Sequence, residues 1–221
     1  MRETYRTELA DITKDLVTMS LAVQVAVRDA SRALLETDLE IAEQVISSDK
    51  HLDEMHDQLE LRCFTLLARQ APVAGDLRIV VTAIQMINAM GRAGDLAAHI
   101  AKIAKLRHPE SAVPASLRDN FVRMSEISEN MIVQASTALA NRDFELAQQM
   151  ADEDTEMDEL RSQQFTVLLG SDWSDGVEAA VDAALLGRYF ERIADHAVAL
   201  GKRVIYIITG EAPQGEDWPT T

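Results

Sequence analysis

The feature that most constrains the fold of this 221-residue chain is that it is written twice. Asp38-Leu-Glu-Ile-Ala-Glu-Gln44 aligns with Asp143-Phe-Glu-Leu-Ala-Gln-Gln149 at an offset of 105, and the same offset places Asp49, Asp53 and Glu54 on Asp154, Asp158 and Glu159. After a loop five residues shorter the offset becomes 100, and Arg92, Asp95 and Lys102 fall on Arg192, Asp195 and Lys202. Two registers that agree across one deletion identify a duplicated structural unit.

Each unit reads as three helices. Leu9, Ile12, Leu16, Met19, Val23, Ala26, Ala30 and Ala33 recur at three- and four-residue steps, the pattern of a long amphipathic helix. Thr37 followed by Glu40 has the form of a capping box that restarts the chain as a second helix, through Ile41, Val45, Leu52, Leu59 and Leu66 to about Gln70. Pro72 and Gly75 punctuate it, and a third helix is predicted over 76–106. Pro109 and Pro114 mark a linker. The second unit repeats the plan, with helices predicted over 115–140, 144–169 and 177–209, a turn and cap at Asn141–Asp143, a loop over 170–176, and Gly210 as the stop. Helices of this length, near 45 Å, joined by short connections form antiparallel up-down-up bundles. The chain is therefore expected to be all-α: two tandem three-helix bundles packed side by side, over 1–108 and 109–210, with a flexible tail over 211–221. The third and sixth helices are apolar over most of their circumference and are expected at the centre, with the others outside. Gly91, Gly94, Gly187 and Gly201 lie within helices and are expected to permit close helix packing.

The net charge of −16 repels phosphate backbones and anionic membrane surfaces, so nucleic acid is excluded as a partner class. Such acidity suits cations, a basic surface on another protein, or solubility alone. The apolar stretch over 79–90 is short and interrupted by Thr82, Gln85 and Asn88, which excludes membrane insertion there. One cysteine, Cys63, sits in an apolar helical run as a small hydrophobe; a chain with no disulfide fits the reducing cytoplasm. No Gly-rich phosphate loop, Gly-x-Ser-x-Gly elbow, paired cysteines or Glu-x-x-His pair is present, so the chain reads as a regulator rather than an enzyme. A homodimer through an apolar face is compatible with this reading.

The residues that could carry chemistry are acid pairs at i, i+4, which share one helix face. Asp49/Asp53 and Asp154/Asp158 occupy equivalent repeat positions, and Glu191/Asp195 lies on the largely apolar sixth helix, where unpaired carboxylates are costly. Like charges at this spacing cost about 0.2–0.5 kcal/mol, which a bound cation reverses. Composition alone predicts roughly six such pairs, so recurrence and context, not the spacing, single these out. A divalent or iron-type metal cluster is one reading; salt-bridged or solvated faces are the other. Arg92 and Arg192 are expected to pair with the neighbouring acids. His56, three residues after Asp53, could share a metal, and His196 adjoins Asp195; a structural role is the simpler reading for both.

Pro72-Val-Ala-Gly-Asp-Leu-Arg78 resembles the opening of the third helix in the PhoU family of phosphate-uptake regulators. Gly187-Arg-Tyr-Phe-Glu-Arg-Ile-Ala-Asp-His-Ala197, with Tyr206 and Thr209-Gly-Glu211, is very similar to that family's second-repeat signature. The resemblance spans essentially the whole chain. It implies paired three-helix bundles with an E/D-x-x-x-D motif that binds metal clusters in some members, matched here by Asp49/Asp53, Asp154/Asp158 and Glu191/Asp195. Gly91 stands where Glu191 stands in the second repeat, leaving Asp95 alone and the first cluster incomplete. The resemblance further implies a negative regulator of the phosphate-starvation response, cytoplasmic and recruited to the membrane by its partners. Those partners would be the ATPase subunit of a phosphate-specific ABC transporter and a sensor histidine kinase. A carboxylate-bridged metal-dependent enzyme and a metal-binding structural bundle are the alternatives.

Overall fold

The structure, a computed structural model, describes residues 2–211, with side chains from residue 7 and omitting those of 151–153; the tail expected beyond 211 lies outside the described residues. Six long helices run α1 Arg2–Glu36, α2 Leu39–Gln70, α3 Ala74–Arg107, α4 Arg118–Asn141, α5 Phe144–Leu168 and α6 Gly176–Thr209. The predicted start of α4 is instead a short 3-10 turn, Ala115–Leu117. Among the described residues, no helix is long and apolar enough to cross a membrane.

The first two helices of each unit are joined by the same device. Asp38 is extended, and its side chain accepts from the Ile41 N–H at 3.0 Å; Asp143 does the same for Leu146, also at 3.0 Å. The residue before each aspartate, Thr37 or Arg142, takes a positive φ, and the aspartate N–H returns to the carbonyl of Ala33 or Ala138. The expected Thr37–Glu40 box is thus displaced by one position: Thr37 is spent in the left-handed turn that ends α1, and Asp38, whose carboxylate accepts from the Ile41 N–H, caps α2.

α1, α2 and α3 pack as one bundle and α4, α5 and α6 as the other; α3 lies along α6, and α1 along α4. α3 and α6 are central, as expected, but α1 and α4 join them there, so that α2 and α5 alone stay outside. Small buried residues make this close approach feasible, among them Ala26, Ala30 and Ala33 on α1 and Ser128, Ala135 and Ala138 on α4. The core between them holds Met19, Val23, Ile87, Met90, Met124 and Ile193, with Phe121 and Phe190 ring centroids 6.2 Å apart. Each such side chain, fully buried, contributes about 1.5–3 kcal/mol. Cys63 is also buried, and burial pushes its thiol up to about 11, so it packs as an inert hydrophobe. α3 and α6 run antiparallel: Arg78, near the start of α3, stacks on Tyr206 near the end of α6, while Arg107, at the end of α3, pairs with Glu178 and Asp182 at the start of α6.

The two bundles keep one shape with different fillings. A Cβ on Gly201 would lie 2.9 Å from Met150 Sδ and 3.2 Å from the Ala147 carbonyl oxygen. The equivalent positions in the first unit are Ala101 and Val45, both buried. A large residue facing a glycine in one copy is replaced by two medium residues in the other, which conserves volume. Gly201→Val is therefore expected to lower stability by about 1–3 kcal/mol in urea denaturation. The double variant Gly201→Ala, Met150→Val, which copies the first unit, should unfold near the wild-type midpoint.

Candidate functional site

The carboxylates singled out by the repeat lie along the α2–α3 seam in the first bundle and the α5–α6 seam in the second. Asp49 and Asp53 from α2 approach Asp95 and Lys102 from α3. The Asp49 carboxyl is held above the usual aspartate range, first by burial and then by Asp95 and Asp53, with Lys102 opposing. Asp154 repeats this: burial raises it first, then Asp195 and Asp158, with Lys202 opposing. Asp195 is raised by burial and by Glu191 and Asp158, against Arg192 and Arg188. Three aspartates and a lysine are thus common to both seams; Asp49, Asp95 and Asp154 are partly buried, Asp53, Asp158 and Asp195 are exposed, and the lysine of each seam offsets part of the repulsion among them. Arg92 meets Asp95 at 3.2 Å, and Arg192 lies 3.9 Å from Asp195, the pairing anticipated for these arginines.

Among the described residues, no three acids, histidines or cysteines converge tightly enough to hold a metal ion. The oxygen-only donor set suits a hard cation or iron rather than zinc or copper(I), and the mutual repulsion favours one. Closing either trio onto an ion would require the aspartate side chains to rotate inward.

Glu191 is differently employed. Its two oxygens accept from Arg161 Nε, at 3.1 Å, and from Arg188 Nη1. Arg161 is buried beneath α6. There it also donates to Gln164 and stacks on the Phe165 ring at 4.6 Å, while Gln164 Nε2 donates to the Ala183 carbonyl at 2.9 Å. Gly187 makes room for this group: a Cβ there would collide with both Gln164 and Arg161.

The first bundle fills the same space with different residues. His56 stands at the position of Arg161, Asn88 at that of Arg188 and Gly91 at that of Glu191. His56 Nε2 lies 3.3 Å from Asn88 Oδ1, and its ring packs where a Cβ on Gly91 would come within 3.1 Å of Cδ2. Leu59 and Ile87 fill the places of Gln164 and Gly187. Gly91 is therefore more than a missing acid. Five positions differ together, an ion-paired trio with Gln164 and Gly187 in one copy and a histidine–asparagine contact with Leu59 and Ile87 in the other. Comparing residues 56 and 161 along with 91 and 191 would have exposed this in the sequence. His196, beside Asp195, turns instead toward the α3–α6 seam, where burial and then Arg192 and Arg92 hold it below the usual histidine range.

Glu191→Ala is expected to destabilise the protein by about 1–3 kcal/mol in chelator-containing buffer, because it strips a partner from buried Arg161. The five-site variant that copies the first unit, Arg161→His, Gln164→Leu, Gly187→Ile, Arg188→Asn, Glu191→Gly, should recover most of that loss. A Glu191→Ala protein as stable as wild type would instead free Glu191 for a ligand role.

The PhoU domain model matches residues 16–104 and 121–204, one match in each bundle. The chain is 43% identical over 213 residues to the phosphate-specific transport system accessory protein PhoU homolog 2 of Mycobacterium tuberculosis, covering 96% of this chain and 100% of that protein. It is 41% identical to PhoU homolog 1 of Mycobacterium leprae, covering 99% of both chains. The crystal structure of PhoU from Pseudomonas aeruginosa superposes with a TM-score of 0.88 at 27% identity, over 94% of this chain and all of that one. The phosphate transport system regulatory protein PhoU of Streptococcus pneumoniae has the same fold, with a TM-score of 0.84 at 23% identity over 94% and 98% of the two chains. These relatives are regulatory and accessory proteins rather than enzymes, in keeping with the absence of catalytic motifs here. Matched in both of its repeats and along nearly its whole length, the chain belongs to the PhoU family.

Proposed function

We propose that this chain is a regulator of phosphate uptake that represses the phosphate-starvation response, acting in the cytoplasm as an adaptor between a phosphate-specific ABC transporter and a sensor histidine kinase. The observation that carries the reading is full-length kinship with accessory proteins of the phosphate-specific transport system, at above 40% identity. The architecture supports it: long helices joined through a common core offer large outer faces and no catalytic constellation among the described residues. Deleting the gene is expected to switch on a phosphate-starvation reporter in high phosphate. A reporter that stays silent, with no second copy of the gene present, would sink the reading.

The seams add a metal to this proposal. Asp49, Asp53 and Asp95 would hold one cation or cluster, and Asp154, Asp158 and Asp195 another, stabilising the bundles or shaping the docking surface. The recurrence of the trio at both seams, with Asp49 and Asp154 partly buried beside two like charges each, supports this. Because burial raises the Asp154 pKa, its charge costs stability above the folded-state value, and that cost vanishes once pH falls below the ordinary aspartate range. In chelator at neutral pH, Asp154→Asn should melt higher than wild type, with the gap closing on acidification. Manganese or iron(II) should raise the wild-type melting temperature and leave Asp154→Asn nearly unmoved; equal responses of the two proteins would remove the site.

A further inference from the structure

The strongest departure from the repeat lies at the tip of the second bundle. α2 has 32 residues and α5 only 25, a difference of about two turns. α2 reaches the start of α3 through a three-residue connection, 71–73, whereas α5 stops about level with the third turn of α6. The first two turns of α6 therefore lack the helix that would cover them. Val177 is 81% exposed and Val181 51%, while Leu77, the counterpart of Val177, is 40% exposed. With Phe165, Leu168, Leu169 and Trp173 they line an open groove of about 390 Å³, almost wholly apolar. The uncovered turns are held in place from behind, since Arg107 of α3 donates to Asp182 at 2.5 Å and to Glu178. Trp173 is fixed by its Nε1 donating to the Gly176 carbonyl at 2.9 Å. The groove is thus built rather than frayed.

Val177, Val181 and Leu185 recur every four residues beside Ala180 and Ala184, a ridge with small-residue hollows that suits the side chains of another helix. The loop end of the groove carries Asp172 and Asp175, both exposed, on a chain of net charge −16. That rim repels an anionic bilayer and attracts a basic one-sided helix. We propose that this groove is the docking site for an amphipathic helix of a partner protein, its apolar side chains seated between α5 and α6 and its lysines or arginines over Asp172 and Asp175. The choice of a protein occupant rests on the adaptor reading; the groove and its charge do not.

The test uses the full chain with Trp218→Phe, so that emission reports Trp173, and a leucine/lysine amphipathic peptide of about 18 residues, roughly five turns. Saturable binding is expected, weakened about tenfold or more by Val181→Glu or Leu169→Glu. A leucine/glutamate version of the peptide should bind at least about tenfold more weakly, and Leu21→Glu, an exposed position on α1, should leave binding unchanged. Both groove positions are open to solvent, so the variants are expected to fold, checked by their melting temperatures. Equal binding by wild type and the groove variants would mean general attraction to an acidic chain and would overturn the proposal. So would a wild-type dimer dispersed by Val181→Glu, which assigns the groove to a second copy, or phosphatidylcholine-vesicle binding lost in Val181→Glu, which assigns it to a membrane. In cells, Val181→Glu at normal abundance should switch on the phosphate-starvation reporter as deletion does. If deletion itself has no effect, the adaptor reading fails and the groove is judged on peptide binding. If deletion switches the reporter on and Val181→Glu does not, the docking proposal fails alone.

Discussion

Everything in this structure depends on the antiparallel seam between α3 and α6. Each helix is buried on several sides at once: Val80, Ala83, Ile87, Met90 and Ala97 on α3, and Ala183, Leu186, Phe190, Ile193 and Ala197 on α6. A three-helix unit of about 105 residues has one helix too apolar to leave facing water, and a duplicate of itself is the nearest surface that matches. Pairing then draws α1 against α4, and the four helices close one core. Charged residues at the two ends of the seam meet partners across it: Arg107 pairs with Asp182 and Glu178, and Arg78 lies over the face of Tyr206.

Much of this was legible because helical periodicity and punctuation are local. Pro72, the loop before Gly176 and Gly210 marked helix ends that the structure places within a residue or two. The exact cap was not, since Thr37 and Asp38 are both good capping residues and the choice is decided by which of them takes the left-handed turn closing α1. Nor was the role of α1 and α4 in the core. Their alanines and serines have little hydrophobic weight in a sequence, yet their small size is what lets two helices approach. Glu191 was misleading for a related reason. On an apolar helix it reads as a costly acid in want of a cation, but its answering charge, Arg161, lies 30 residues earlier on another helix.

Once aligned through the structure, the repeats separate what the scaffold needs from what each copy does. Volume is conserved by compensating swaps, as with Met150 and Gly201 against Val45 and Ala101. Three aspartates and a lysine are kept at both seams, although their mutual repulsion buys nothing for packing. The ion-paired trio around Arg161 and the shortened α5 belong to the second copy alone. Packing explains the swaps. It does not explain retaining three neighbouring aspartates at both seams, the observation on which the proposed cation rests.

The charge inventory also limits how phosphate could act. Several of the arginines already have carboxylate partners: Arg107 with Asp182 and Glu178, Arg123 with Glu156 and Glu126, Arg161 and Arg188 with Glu191, and Arg92 with Asp95. At any of these a phosphate dianion would have to displace a carboxylate tethered beside its guanidinium, within a chain of net charge −16. The long-range field and the local pairing both oppose that. An adaptor built this way would learn the phosphate state from the shape of the protein it touches, and that places the burden of recognition on its helix faces. Among those faces, the uncovered start of α6 joins exposed apolar surface to the Arg107 clamp behind it.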